Sequence, residues 1–425
     1  MFILLFNLSN FSHFAFWSAM NYRTFILNIS NMTKDANKYA ERGVSANKTD
    51  VHQAIHGLDK GLFPTAFCKI LPDFAAGDSN YCNIMHADTA GTKTGLAYLY
   101  WKETGDLSVW KGIVQDAIVM NLDDMACVGC YDNIILSSTI GRNKRLIPGE
   151  ILKELIQSTV AFINRMKEYD INIHLAGGET ADVGDIVRTI DVGYTAFGRM
   201  RQSDLLINNV LAGDVIVGFS SSGQANYEDF YNSGIGCNGL TSARHDLFEH
   251  SYAKKYPESF EKGTPDYLVY SGSLKLTDKH TIDNAETTIG KLALSPTRTY
   301  IPLIKKMLEL HAPGINGLIH CTGGGQTKVL KFVKNKHIIK NNLFTLPDIF
   351  QIILKESKTN LKEMYQVFNM GHRLEAYCDK SVAENLIEIA NSFGISAQII
   401  GYVEESSEGE KLTIETSNGT FNYES

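Results

Sequence analysis

The chain alternates short apolar runs that end in small residues with longer stretches whose apolar positions recur at helical spacing. Residues 81–87 (YCNIMHA) read as a strand that delivers Asp88 to a low-bulk turn, Thr89, Ala90 and Gly91, followed by Thr92 and Lys93. Backbone N–H groups in such a turn can approach an anion. Helical spacing follows over 96–103 and 110–129. In the second stretch Val114, Ile118, Met125 and Val128 trace an apolar stripe, interrupted by Asp116, Asp123 and Asp124. Acids in so apolar a helix are solvated, paired or metal-bound, because an unpaired buried carboxylate is costly. Strands are expected at 133–140, 171–176 and 187–197, with a helix at 149–169. The 171–176 strand should end at Gly177, Gly178, Glu179 and Thr180.

The rhythm restarts near Asn208. VIVGFS (215–220) reads as a strand, 224–236 as an exposed insertion, and a helix is expected from Thr241. LSPTRTY (294–300) stands at the head of a helix. The strand at 318–320 opens onto Thr322, Gly323, Gly324 and Gly325, with a helix after them. A triple glycine between strand and helix is a favourable place for backbone donors to meet a phosphate, and also a common way to turn a chain. A helix at 381–394 and a strand pair complete the pattern. Strands interleaved with helices place the chain in the α/β or α+β class.

At 425 residues the chain exceeds one core, and two domains of about 150–200 residues are expected. The boundaries expected are an extension at 1–33 outside the fold, an N-terminal domain at 34–205 and a C-terminal domain at 206–425. The 40 basic and 47 acidic residues leave a net charge of −7, which provides no general field for nucleic acid. Residues 1–31 carry no charge before Arg23, and Asn7, Asn10 and His13 break their apolar run. They read neither as a secretory signal nor as a membrane span, and the functional chain is expected to begin near Met32. Of the seven cysteines only Cys127 and Cys130 have CxxC spacing, and nothing completes a zinc site. They read as small buried hydrophobes of a reducing compartment.

Asp88, Thr92 and Lys93 put a carboxylate, a hydroxyl and an ammonium within six residues, the parts a nucleoside triphosphate site needs. The plainer reading is a βα turn with a capping threonine and a solvated lysine. Six segments in order resemble the phosphoribosylformylglycinamidine cyclo-ligase (AIR synthase) family over roughly residues 40–403: ADTAGTK, MNLDDMACVG, AGGETADVGD, LSPTRTY, HCTGGG and EMYQVFNMG. Thr89 stands where the family usually has Gly, and Asp123 where it has Asn. A family His is missing at Gly236, Cys237 and Asn238, and the glycine-rich nucleotide-covering loop is reduced to KGLFPTAF around Lys60.

The resemblance implies a two-domain AIR synthase-like fold: an N-terminal domain dimerising through its β-sheet, and a C-terminal α/β domain. It implies a cytoplasmic homodimer without membrane or nucleic-acid partners. The implied reaction closes the ring of formylglycinamidine ribonucleotide using ATP, through phosphorylation of the amide oxygen. By the same resemblance Asp88, Asp124 and Glu179 would hold Mg²⁺, with Asp124 and Lys93 catalytic. Lys60, Gly91, Thr92, Asp123, Gly177, Gly178 and Thr180 would bind the nucleotide. Arg298, residues 322–325 (Thr322, Gly323, Gly324, Gly325) and Asn369 would bind the small-molecule ribonucleotide. A non-catalytic nucleotide-binding paralogue and a small-molecule kinase of the same superfamily are the competing readings.

Overall fold

A computed structural model describes residues 41–44, 54, 57–282 and 285–424; the expectations for residues 1–33 lie outside them. Strands β1 (Ile70–Pro72), β2 (Tyr81–Thr89), β3 (Ile134–Arg142), β4 (Ile173–Asp182) and β5 (Ile190–Arg201) form a sheet in the order β1-β2-β5-β3-β4. Only its β3–β4 pair is parallel. Helices α1 (Lys93–Thr104), α2 (Val109–Ala126) and α3 (Gly149–Lys167) lie with this sheet. Because side chains alternate across a strand, Ile84, Leu136, Ile140 and Tyr194 turn into the core, while Met85, Phe197 and Ile135 share one register row on the other face. There Met85 is 61% and Ile135 44% exposed.

The helices follow ordinary local rules. α1 stops at Gly105, whose left-handed backbone returns its N–H to the Trp101 carbonyl. α3 is amphipathic, burying Ile151, Leu155, Phe162 and Met166 on one stripe. α2 is more enclosed than the apolar stripe read from its sequence. It is buried nearly all round, and Asp116, Asp123 and Asp124 are buried with it.

The second sheet collects β6 (Val215–Ser220), β9 (Ile315–His320), β10 (Lys336–Lys340), β11 (His372–Cys378), β12 (Ala397–Glu405), β13 (Lys411–Thr416) and β14 (Gly419–Glu424), in the order β14-β13-β10-β12-β6-β11-β9. A hairpin of β7 (Lys279–Ile282) and β8 (Ala285–Thr288) stands apart. The helices of this half are α4 (Leu240–Leu247), α5 (Ser251–Lys255), α6 (Ile289–Ala293), α7 (Ile301–His311), α8 (Asp348–Ser357), α9 (Leu361–Val367) and α10 (Lys380–Ser392).

Two local expectations change. The Gly177–Gly178–Glu179–Thr180 stretch is not a turn after a strand. It lies inside β4, with Gly178 opposite Ser138 and Glu179 opposite Thr139, and an irregularity earlier in the pairing takes up the extra residue. The 224–236 segment is not an exposed insertion throughout. Tyr227 and residues 232–236 are buried, and Asn232 donates to the Pro296 carbonyl. Its polar groups find partners inside the fold, which sequence polarity does not reveal.

Candidate active site between the two domains

The acids of α2 hold the N-terminal domain to the LSPTRTY segment. Asp116 receives the Lys93 ammonium at 3.0 and 2.9 Å on its two oxygens, and both the backbone N–H and the hydroxyl of Thr297 at 2.7 Å. Asp123, seven residues or two helical turns further on, accepts the Thr299 hydroxyl at 2.6 Å and the Tyr300 N–H at 2.8 Å. Lys93 is completely buried and also donates to the carbonyls of Ser295 and Gly236. Burial pushes the Asp123 carboxyl up to about 7 despite the Thr299 and Tyr300 bonds.

Asp124 reaches further. Its Oδ1 lies 2.7 Å from His320 Nδ1 of β9, and its Oδ2 lies 3.5 Å from His86 Nε2 of β2. Arg373 of β11 donates its Nε to His320 Nε2 at 3.2 Å. That bond makes Nε2 the acceptor and leaves Nδ1 protonated toward Asp124, which fixes the neutral tautomer. Burial draws the His320 imidazole down to about 4, against the pull of Asp124. Burial alone would raise the Asp124 carboxyl, but the Lys328 charge and the bonds from His320 and His86 hold it well below the usual range. Burial would lower His86; its bond to Asp124 raises it instead.

Two small-residue turns and the start of α4 meet beside this pair. Thr92 of the 89–92 turn bonds Thr241 near the start of α4, hydroxyl to hydroxyl at 2.8 Å. A side chain built on Gly323 would first meet the Asn238 amide, at 4.0 Å, so the 322–325 turn faces the start of α4 at 238–241 across open space. Lys328 donates to the Thr322 hydroxyl and lies over the Phe67 ring, 4.6 Å from its centroid. Gly325 has φ +52, and a Cβ there would sit 2.6 Å from the Tyr365 and Phe368 carbonyls, so only glycine closes this turn.

Other residues singled out from the sequence are placed differently. Arg298 is 1% exposed and pairs with Glu228 at 2.6 Å while donating to the carbonyls of Ser220 and Ser222. Asn369 donates to the Gly234 carbonyl and accepts from Ser221 and Gly371, so it braces the neighbouring turns. Lys60 is exposed on the stretch before β1. Asp88 follows His86 by two residues on the same face of β2 and accepts the Thr89 N–H at 2.7 Å. Glu179 is in register with Thr139, which pairs with Gly193 and through it Thr89, on the opposite face of the sheet from His86 and Asp88. Three strand spacings, about 14 Å, separate the β2 and β4 backbones.

Asp88, Asp124 and Glu179 are therefore not gathered within one chain, and the described residues contain no group of three His, Cys, Asp or Glu placed to hold a metal ion. Hard carboxylate oxygens suit Mg²⁺ in kind. Their positions do not form a cage in this chain. His86 and His320 lie inside YCNIMHA and HCTGGG but were given no role from the sequence, and Lys328 and Arg373 lie outside every segment read there; the signal available was that both histidines sit inside strand-to-turn segments. All seven cysteines are free thiols, and six are buried.

Comparison with known proteins matches this arrangement. Residues 69–200 match the family described as AIR synthase related protein, N-terminal domain, and residues 212–412 its C-terminal domain. The phosphoribosylformylglycinamidine cyclo-ligase of Methanocaldococcus jannaschii is 30% identical over 296 residues, 69% of this chain and 72% of that one. The enzyme of the same name from Methanobrevibacter smithii is 28% identical over 338 residues, 79% and 83% of the two chains. A chain in the crystal structure of a HypE–HypF complex shares the fold with a TM-score of 0.51 at 15% identity, covering 88% of this chain and 98% of its own. The chain thus belongs to the AIR synthase family of enzymes, with relatives named phosphoribosylformylglycinamidine cyclo-ligase.

Proposed function

We propose that this enzyme closes the five-membered ring of formylglycinamidine ribonucleotide, using ATP and releasing aminoimidazole ribonucleotide, ADP and phosphate. The observation that carries this reading is the meeting of two small-residue turns, at 89–92 and 322–325, with the start of α4 at 238–241, beside the cross-domain Asp124–His320 pair. A site of that kind can hold a nucleotide and a phosphorylated acceptor against each other. Family membership and the relatives' names support the same chemistry.

In this reading the γ-phosphorus of ATP forms a bond to the acceptor's amide oxygen while its bond to the bridging oxygen breaks and ADP leaves. The neighbouring nitrogen then attacks the activated carbon, and phosphate departs with the former amide oxygen. Most of the catalysis is positioning and charge stabilisation. Gly91 and Thr92 contribute backbone and hydroxyl donors to the nucleotide. Asp124, ionised and aimed by His320, orients the groups at the domain boundary. Lys93 and Asp123 act through what they hold, the 236 and 295–300 segments.

Mg²⁺ ordinarily enters such sites with the nucleotide, and needs one or two carboxylates beyond phosphate oxygens and water. It supplies charge neutralisation when bound. Asp88 is the carboxylate of this chain in reach of the nucleotide turn. Glu179, with Gly177, Gly178 and Thr180, opens onto the sheet's other face, so its use at a nucleotide site requires a second copy. The exposed row at Met85 and Ile135 supports a homodimer through that face. No described helix is long and apolar enough to cross a membrane.

The test is turnover. The full chain with ATP, Mg²⁺ and formylglycinamidine ribonucleotide should release ADP and aminoimidazole ribonucleotide in equal amounts. Binding of ATP without release of ADP would instead mark a nucleotide-binding scaffold.

A further inference from the structure

Arg298 cannot leave its partners to meet a ligand without stranding the Glu228 carboxylate inside the fold. Lys328 is in the opposite condition. It lies in the 3₁₀ stretch Gly325–Lys331 that follows the 322–325 turn, and it is only partly buried. Its ammonium touches the Thr322 hydroxyl and the face of Phe67, and among the described residues it forms no ion pair. A hydroxyl and an aromatic ring neutralise a cation far less than a phosphate does. Beside it Gly323 is exposed and its surroundings are open, with the Asn238 amide across the gap.

The surroundings hold a second cation and one acid, Asp124, which the Lys328 charge helps keep ionised. Arg373 is 2% exposed and bonds an imidazole and the Met120 sulfur at 3.4 Å, and among the described residues it bonds no carboxylate. Among the described residues Asp124 is the one ionised acid bonded directly into this group, set against Lys328 and Arg373. An anion placed against the 322–325 turn would therefore meet a cation that, among the described residues, no carboxylate bonds directly.

We propose that Lys328, with Thr322 and the backbone of residues 323 and 324, binds the phosphomonoester of the acceptor, and that Arg298 does not. This rests on the reading of the domain boundary as a site for a phosphorylated acceptor. It names the charge that recognises that acceptor. Phe67 steadies the side chain from the N-terminal domain, so the anion site is completed only when the two domains meet.

The experiment pairs Lys328→Met with Lys328→Arg in the full-length protein, with two readouts. In steady-state assays Lys328→Met should raise the KM for formylglycinamidine ribonucleotide at least tenfold and leave the KM for ATP within twofold; Lys328→Arg should recover most of the loss. By calorimetry, ribose 5-phosphate should bind the wild type and bind Lys328→Met at least tenfold more weakly. An unchanged acceptor KM, or an equal rise for ATP, would overturn the assignment. If the wild type binds ribose 5-phosphate through Lys328 yet does not turn over, the ring-closure reading fails and this assignment stands.

Discussion

Asp124 on α2 and His320 on β9 are hydrogen-bonded across the domain boundary, Oδ1 to Nδ1 at 2.7 Å, with Arg373 fixing the far side of the imidazole. Asp124→Asn keeps an acceptor for His320 and removes the charge. Turnover should fall about 10²–10³-fold, the range typical of losing one electrostatic contact in an active site. Steady-state kinetics checks this, and circular dichroism should show the fold intact.

Lys93 and Asp116 form a completely buried ion pair. Lys93→Met strands the Asp116 carboxylate and should cost about 3–5 kcal/mol of stability. Urea denaturation measures it. A lysine serving only to contact phosphate would leave the denaturation midpoint unchanged.

His245 makes the C-terminal domain acid-labile. Burial, aided by the charges of Arg244 and Arg42, draws its imidazole down to about 2, and Nδ1 accepts the Tyr270 N–H. In the unfolded chain a histidine titrates near 6.5. Between these values the unfolded state binds a proton that the folded state does not, so stability falls as pH decreases below about 6.5, by up to about 1.4 kcal/mol per pH unit. His245→Asn should flatten this dependence in urea titrations. Glu375 adds a second loss at lower pH. Burial opposes its ionisation, but Lys340 and His372 hold its carboxyl at about 2, so its contribution is present above about 4.3 and lost as pH falls toward 2.

Exposed Met85 and Ile135 flank half-buried Phe197 in one register row of the first sheet. The wild type should sediment as a dimer, and Met85→Glu should shift it to the monomer by placing a charge in the apolar patch. A wild-type monomer in sedimentation velocity would remove this face as an interface.

Much of the fold was legible because strand and helix periods depend on neighbours in the chain. The strands at 81–89, 134–142 and 215–220 and the helix at 149–167 fall close to the patterns read from spacing. The two-domain α/β organisation and the small-residue turns at 89–92 and 322–325 were equally visible, as was the need for the α2 acids to be solvated, paired or metal-bound. Partnership was decided only by tertiary structure. Asp116 and Asp123 found Thr297 and Thr299, nearly two hundred residues away, and Asp124 found His320 rather than a shared metal cage. Glu179 was carried to the opposite face because β4 continues through its glycines in register with β3. Arg298 was enclosed while Lys328 was left at the boundary, since burial depends on which chain segments pack over a residue, and local sequence does not contain that information.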